Sequence, residues 1–304
     1  MKIGYLLTAG LLLLASQAVA GTFDADPAIE CSSCVKWNKP HEPFKVYGNT
    51  YYVGVAGLSS ILITSDKGLI LIDGDLTQSA PLIAAHIEQL GFHVKDIQLL
   101  LNSHTHFDHA AGLASLQRAS GAEVAASAES AKALEHGGPM SDDPQYAFND
   151  RFPAVKSVRL VTDGETLHVG DLAITAHYTP GHTPGGTTWT WQSCEGNRCL
   201  NVVYADSLNA VSAPGYRFSG DAAHPGIVDE FRKSIRTVAD LPCDILLSPH
   251  PNFIDMEGKL AKRQVHPETN PFIDPNACRV YAAHTASRLD KRLAAEAAQK
   301  DSGN

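Results

Sequence analysis

The chain has 304 residues, 44% of them hydrophobic and 19% charged, with a formal net charge of −9 at pH 7. This is ordinary globular composition, long enough for one large domain or two small ones. The acidic balance argues against nucleic acid or an anionic membrane surface as partner, and it leaves the substrate open.

At the N-terminus, Lys2 supplies a positive end, residues 3–15 an apolar core and Ala18-Val19-Ala20 a small-residue cleavage pattern. These are the marks of a signal peptide, expected to be cut after Ala20, and the apolar run is too short to span a bilayer. Residues 21–304 are expected to be exported as one domain of two similar αβ halves, with no membrane attachment after cleavage. Six cysteines agree with an oxidising destination. Cys194 and Cys199 flank an expected hairpin tip that a disulfide could staple. Cys243 and Cys278, which precede an apolar run and the last helical stretch, are paired with each other. Cys31 and Cys34 remain and can join locally; a redox or zinc role for that pair is disfavoured because no second such pair accompanies it. The spacing alone leaves other connectivities open.

Residues 21–45 carry Pro and charge and are expected to be an irregular arm. Short β-rich runs at 51–55, 60–64 and 69–73, separated by Gly, Asp and Ser, predict a meander of strands. A helix is predicted over 80–90, with His86 and His93 expected at the surface, and a strand at 97–101. Directly after that strand stands His104-Thr105-His106-Phe107-Asp108-His109, three imidazoles and a carboxylate within six residues. The Ala/Gly/Leu-rich segment that follows predicts a helix over 109–119, so the cluster lies in a tight loop at the carboxyl end of a strand, where α/β proteins place chemistry. Such donors suit Zn²⁺ when deprotonated, and they outnumber what one tetrahedral ion can take alongside ligands from elsewhere, which predicts two metals.

A strand at 123–126 and a helix over 127–136 come next. Residues 137–153 show no clear period, and a loop of that length is either functional or mobile. We treat it as a flap over the site, with Gln145, Tyr146 and Phe148 as contacts. Strands are then predicted at 158–161, 166–169, 172–177, 187–192 and 201–204, a helix over 227–241, a strand at 244–248, a closing helix over 279–298 and a frayed tail beyond it. Strands followed by helices occur twice, which implies two sheets packed together with helices outside, an α/β sandwich. Two more His residues follow strand ends and are pinned by neighbouring Pro or Gly: His182 in Thr-Pro-Gly-His-Thr-Pro-Gly-Gly and His250 in Ser-Pro-His-Pro. Both are assigned as metal ligands. The other His residues lack that setting.

The order His-x-His-x-Asp-His, Pro-Gly-His182-Thr, Asp206-Ser207-Leu208 and His250 resembles the metallo-β-lactamase superfamily over essentially the whole mature chain. Tyr204 to Leu208, Ala213-Pro214-Gly215-Tyr216-Arg217-Phe218 and the Cys243/Cys278 pair resemble the third subclass of the class B β-lactamases. The resemblance implies a four-layer αβ/βα sandwich with His104, His106 and His182 on one zinc and Asp108, His109 and His250 on a second. It further implies that water activated between the metals attacks a lactam carbonyl, with Asp108 orienting it. Ser207 and Asn209 would meet the substrate carboxylate, and Asp73 and Asp206 would stand behind the ligands. Ala56 stands where close members of the subclass carry a Cys bonded to the arm, so this chain cannot form that bond. The function implied is a monomeric, periplasmic, dizinc β-lactamase acting on penicillins, cephalosporins and carbapenems. The alternatives are a glyoxalase II-like thioesterase or lactonase, in which Asp206 would bridge the metals, and a non-catalytic zinc-dependent binding protein. Serine chemistry is disfavoured, since no Gly-x-Ser-x-Gly elbow occurs.

Overall fold

Two apolar runs show why this chain builds layers. In strands β3 (Ile61–Ser65) and β4 (Gly68–Ile72) nearly every side chain is buried, on both faces. A strand without a polar face must be covered on both sides. The computed structural model, which describes residues 23–222 and 224–302, shows both covers. Ile61, Ile63, Ile70 and Ile72 belong to a core shared with the second sheet, whereas Leu62, Leu69 and Leu71 belong to a core shared with helices. The expected signal peptide, residues 1–20, lies outside the described residues.

The first sheet has seven strands in sequence order: β1 (Phe44–Tyr47), β2 (Thr50–Tyr52), β3, β4, β5 (Ile97–Leu101), β6 (Glu123–Ala126) and β7 (Val158–Leu160). From β1 to β4 the pairing is antiparallel, and from β4 to β7 it is parallel. Parallel pairing needs crossovers. Helices α2 (Ala80–Gln89), α4 (Leu113–Ser120) and α5 (Ala128–His136) lie within them, while the one-turn α1 (Cys34–Trp37) belongs to the arm and α3 (Phe107–Ala110) to the metal loop.

The second sheet runs β12-β11-β10-β9-β8, made from β8 (Thr166–Val169), β9 (Leu172–Tyr178), β10 (Thr187–Glu195), β11 (Arg198–Tyr204) and β12 (Ile245–Leu247). Helices α6 (Val228–Asp240) and α8 (Ala277–Ser302) pack against each other and close the outer side, with α7 (Met256–Val265) between β12 and α8. The result is helices, sheet, sheet, helices: the four-layer αβ/βα sandwich. Two indoles on β10 pin the sheets together. Trp189, fully buried, donates from Nε1 to the Asn102 carbonyl at 3.0 Å, and Trp191 donates to Thr50 Oγ1 at 2.9 Å.

Several expectations need correction. The arm contains β1, whose alternation is too short to stand out. The helix expected over 109–119 is broken into α3 and α4 at Gly112, whose N–H leaves the helical ladder to donate to the Asp75 carbonyl at 3.0 Å; a Cβ there would lie 2.0 Å from the Gly74 carbonyl oxygen, so the close approach requires glycine. The expected frayed tail is helical as far as Ser302. His86 is buried rather than at the surface, its Nδ1 2.9 Å from the Val53 carbonyl. The disulfides are Cys31–Cys34, Cys194–Cys199 and Cys243–Cys278, and the middle one joins residues directly opposite each other on β10 and β11.

Trp189→Phe strands the Asn102 carbonyl in a buried site. The urea midpoint of unfolding should fall by the equivalent of about 1–3 kcal/mol with the denaturant slope unchanged.

Candidate metal centre

Strand β5 delivers its next residues into the seam between the sheets, and one carboxylate fixes their path. Asp73, at the end of β4 with φ 62°, accepts hydrogen bonds from Ser103 N (2.7 Å), Ser103 Oγ (2.7 Å), Asn102 Nδ2 (3.1 Å) and Tyr204 Oη (2.8 Å). Burial pushes its pKa up to about 6, although His109 and these donors pull the other way. The loop that leaves Ser103 is therefore held before its first imidazole begins.

The assigned ligands converge in two groups, His104/His106/His182 and Asp108/His109/His250, each with its donor atoms within 4.8 Å of one another. In the first group the rings form a triangle with centroids 4.9, 4.8 and 4.7 Å apart. In the second the donor atoms themselves form one: His109 Nε2 to His250 Nε2 3.3 Å, His109 Nε2 to Asp108 Oδ2 3.3 Å, and His250 Nε2 to Asp108 Oδ2 3.4 Å. A tetrahedral zinc with bonds of about 2.0–2.1 Å places its ligands roughly 3.3–3.4 Å apart. The triangle has the edge such an ion requires. The His104 and His109 rings, 4.4 Å apart, join the groups into one centre.

The outward ring nitrogens set which atoms face inward. His182 Nδ1 lies 2.8 Å from the Asn209 carbonyl, His250 Nδ1 3.3 Å from the Gly57 carbonyl, and His106 Nε2 3.1 Å from Asp143 Oδ2. His104 Nδ1 lies 3.1 Å from Ser103 Oγ, and its Nε2 is buried with no partner. Each arrangement leaves the opposite nitrogen with a free lone pair. Burial, reinforced by neighbouring imidazoles, pushes His104 and His182 well below the usual histidine range, and burial takes His250 down to about 4. They are neutral donors. Burial alone would raise Asp108, but His109 beside it holds the carboxyl well below the usual carboxylate range; burial likewise opposes His109, which the Asp108 carboxylate raises to about 9. The donor set fits a pair of metal ions.

Asp206 belongs to neither group. Its Oδ1 is 2.8 Å from His104 Nδ1, on the side away from the free Nε2, and is not aligned for a hydrogen bond. Gln145 Nε2 reaches within 3.5 Å of His182 Nε2. Gln145, Asn209 and Phe148 line a cavity of about 350 Å³ over the donors, whereas Ser207 is 3% exposed and outside that lining, its Oγ without a partner. Tyr146 points to solvent. A larger hollow of about 710 Å³, bordered by Ile63, Ile174, Trp191 and His177, lies apart from the donors and gathers no set of ionisable groups.

Sequence reasoning missed Asp143 and Trp37. Asp143 is buried; His106 holds its carboxyl below the usual range against the pull of burial, and its Oδ1 also accepts from Gln145 N at 2.7 Å. With Asn149 Oδ1 accepting from Phe107 N at 3.3 Å, these bonds dock the 137–153 segment onto the centre. An acidic pair before a proline, Asp142-Asp143-Pro144, was the available signal, and it could not say which carboxylate turns inward. Trp37 lines the cavity with Cys31, its ring 5.5 Å from that of His250. The same arm carries the chain's single Ser-x-x-Lys spacing, Ser33 to Lys36, but Lys36 is exposed and no hydrogen bond joins the two among the described residues.

A family model described as the metallo-beta-lactamase superfamily matches residues 53–195. Among solved structures, MEM-A1, a subclass B3 metallo-beta-lactamase isolated from a soil metagenome library, is 52% identical, covering 86% of this chain and 99% of its own, with a TM-score of 0.84. Rm3 metallo-beta-lactamase is 50% identical over 88% of this chain and 99% of its own, with a TM-score of 0.85. A probable metallo-hydrolase of Burkholderia pseudomallei (strain 1710b) is 28% identical over 55% of this chain and 54% of its own; the chain spans about half the length of that curated relative.

Asp143→Ala frees His106 to rotate. Metal affinity at the first group should drop by about 10–100-fold in a chelator-competition titration.

Proposed function

The chain belongs to the metallo-beta-lactamase superfamily, and from that membership we propose that it is an exported dizinc β-lactamase opening penicillins, cephalosporins and carbapenems. The observation that carries the reading is the pair of donor groups under a single cavity, in a chain about half identical to the subclass B3 enzyme MEM-A1 and to Rm3 metallo-beta-lactamase along nearly their whole length. His104, His106 and His182 would hold one zinc and Asp108, His109 and His250 the other. Zinc supplies a Lewis acid and brings the pKa of a coordinated water to about 7, so hydrolysis needs no activated serine.

The side chains of this chain do the rest. Asp108, kept anionic, would help hold the second metal with His109 and His250, and its carboxylate can accept a hydrogen bond from the attacking water and so orient it. Gln145 presents an amide donor next to His182, where the lactam carbonyl would lie. Asn209 lines the cavity and is the residue we assign to the substrate carboxylate; Ser207, expected to share that contact, is buried outside the lining. Trp37, Phe148 and Val211 give the cavity apolar walls that exclude water from the reacting bond. One chain assembles all six donors, so the site needs no residue from a second copy. Three disulfides and the Lys2 to Ala20 pattern support export to the periplasm.

The thioesterase or lactonase reading needs a carboxylate bridging the metals at the Asp206 strand end. Asp206 stands outside both donor groups, against His104 Nδ1, and this weighs for the lactamase.

Nitrocefin and imipenem should be hydrolysed, with loss of turnover on adding EDTA and recovery with zinc, while S-lactoylglutathione is left intact. A wild-type protein that binds two zincs yet turns over neither lactam would overturn the proposal. His104→Ala should lower kcat/KM by at least about 10²–10³-fold, the scale of losing one preorganised electrostatic contact. Clavulanate, which must acylate a serine, should cause no time-dependent inactivation.

A further inference from the structure

Every ligand imidazole has one ring nitrogen turned away from the centre. For four of them an acceptor is in place: Ser103 Oγ for His104, Asp143 for His106, the Asn209 carbonyl for His182 and the Gly57 carbonyl for His250. His109 is the exception, with Nδ1 buried and unpartnered. A buried polar group with no partner calls for an account.

A second orphan lies alongside. Asp75 is fully buried at φ 54°; neither carboxylate oxygen makes a hydrogen bond of normal geometry, and the one backbone N–H that acts on it, that of Val55, is already donated to the Leu58 carbonyl at 3.0 Å. Its segment is stitched to that of His109: Gly74 N donates to the His109 carbonyl (2.9 Å) and Gly112 N to the Asp75 carbonyl (3.0 Å). The two glycines meet so closely that neither tolerates a Cβ, so the segments cannot slide apart. The other nearby carboxylate, Asp73, already accepts four hydrogen bonds. Asp75 is also among the charges that raise His109, and His109 acts in the opposite sense on Asp75.

We propose that Asp75 is the positioning residue for the second metal: its carboxyl accepts the Nδ1–H of His109 through one buried water, holding Nε2 toward Asp108 and His250. The carboxyl oxygen accepts whether the group is ionised or protonated, so the role does not depend on its charge. An outer acceptor of this kind fixes both the tautomer and the ring angle of a metal-binding imidazole.

The inference rests on the dizinc reading. Metal-free protein titrated with zinc against a chromophoric chelator tests both, and they fail differently. Asp75→Ala should bind its second zinc about 10–100-fold more weakly while the first is unchanged, and Asp75→Asn, which keeps an acceptor oxygen, should recover most of the loss. Unchanged second-zinc affinity in Asp75→Ala, or equal weakening of both zincs, would overturn the role of Asp75. A wild type that binds fewer than two zincs would instead overturn the dizinc reading, and this inference with it. Should Asp75→Ala not fold, the zinc-loaded wild type still decides: its proton NMR spectrum should show an exchange-protected His109 Nδ1–H, and exchange as fast as in free imidazole would refute the proposal.

Discussion

The carboxylate of Asp73 is where the two sheets and the metal loop are made to agree. It terminates β4, takes three of its hydrogen bonds from Asn102 and Ser103 beyond β5, and takes the fourth from Tyr204 at the end of β11 in the opposite sheet. A buried anion is tolerated only when its lone pairs are used, so each donor has a place it cannot leave cheaply. The Tyr204 hydroxyl also lies 2.8 Å from the Ser59 carbonyl, sharing its one proton between the two acceptors, and Trp189 binds the Asn102 carbonyl from β10. Register between the layers is thereby passed on to Ser103, and from Ser103 to His104. The ligand geometry is a result of sheet packing.

Around that anchor, the centre is built as a shell of acceptors facing outward and lone pairs facing inward. The acceptors come from widely separated parts of the chain: a loop carbonyl at Gly57, a carboxylate at Asp143, a carbonyl at Asn209. None of them touches a reacting group. Their contribution is orientation, which explains why the imidazoles are already arranged as donors. The low pKa values that burial gives to His104, His182 and His250 act in the same direction, keeping lone pairs free at neutral pH.

Much of this was legible in the sequence because the signals were local. The apolar run of β5 followed by three His and an Asp announces a strand end with donors, and the prolines and glycines around His182 and His250 announce rigid turns. Long-range choices were not legible. Asp143 lies in an aperiodic stretch, and only the docking of that stretch on His106 distinguishes it from Asp142. His86 sits on a helix whose pattern permits exposure, and its burial depends on the Val53 carbonyl arriving from just beyond β2. Helix α7 buries only Met256 and so lacks the apolar stripe that would reveal it. The arm looked irregular because its purpose, to bring Trp37 against His250, is visible only after folding.

The wide spacing of the donors has a consequence for how the protein matures. His109 and His250 meet across 141 residues of chain, from opposite halves of the molecule. No stretch emerging alone can assemble the second triangle, so the site, and any ion it would hold, forms late, after most of the slow, non-local pairing is complete. Until then the chain must survive on its hydrophobic layers and cross-links alone. An ion bound there would stabilise the fold by mass action, so the share of molecules open to proteases, and with it the amount of protein present, would follow the local metal supply.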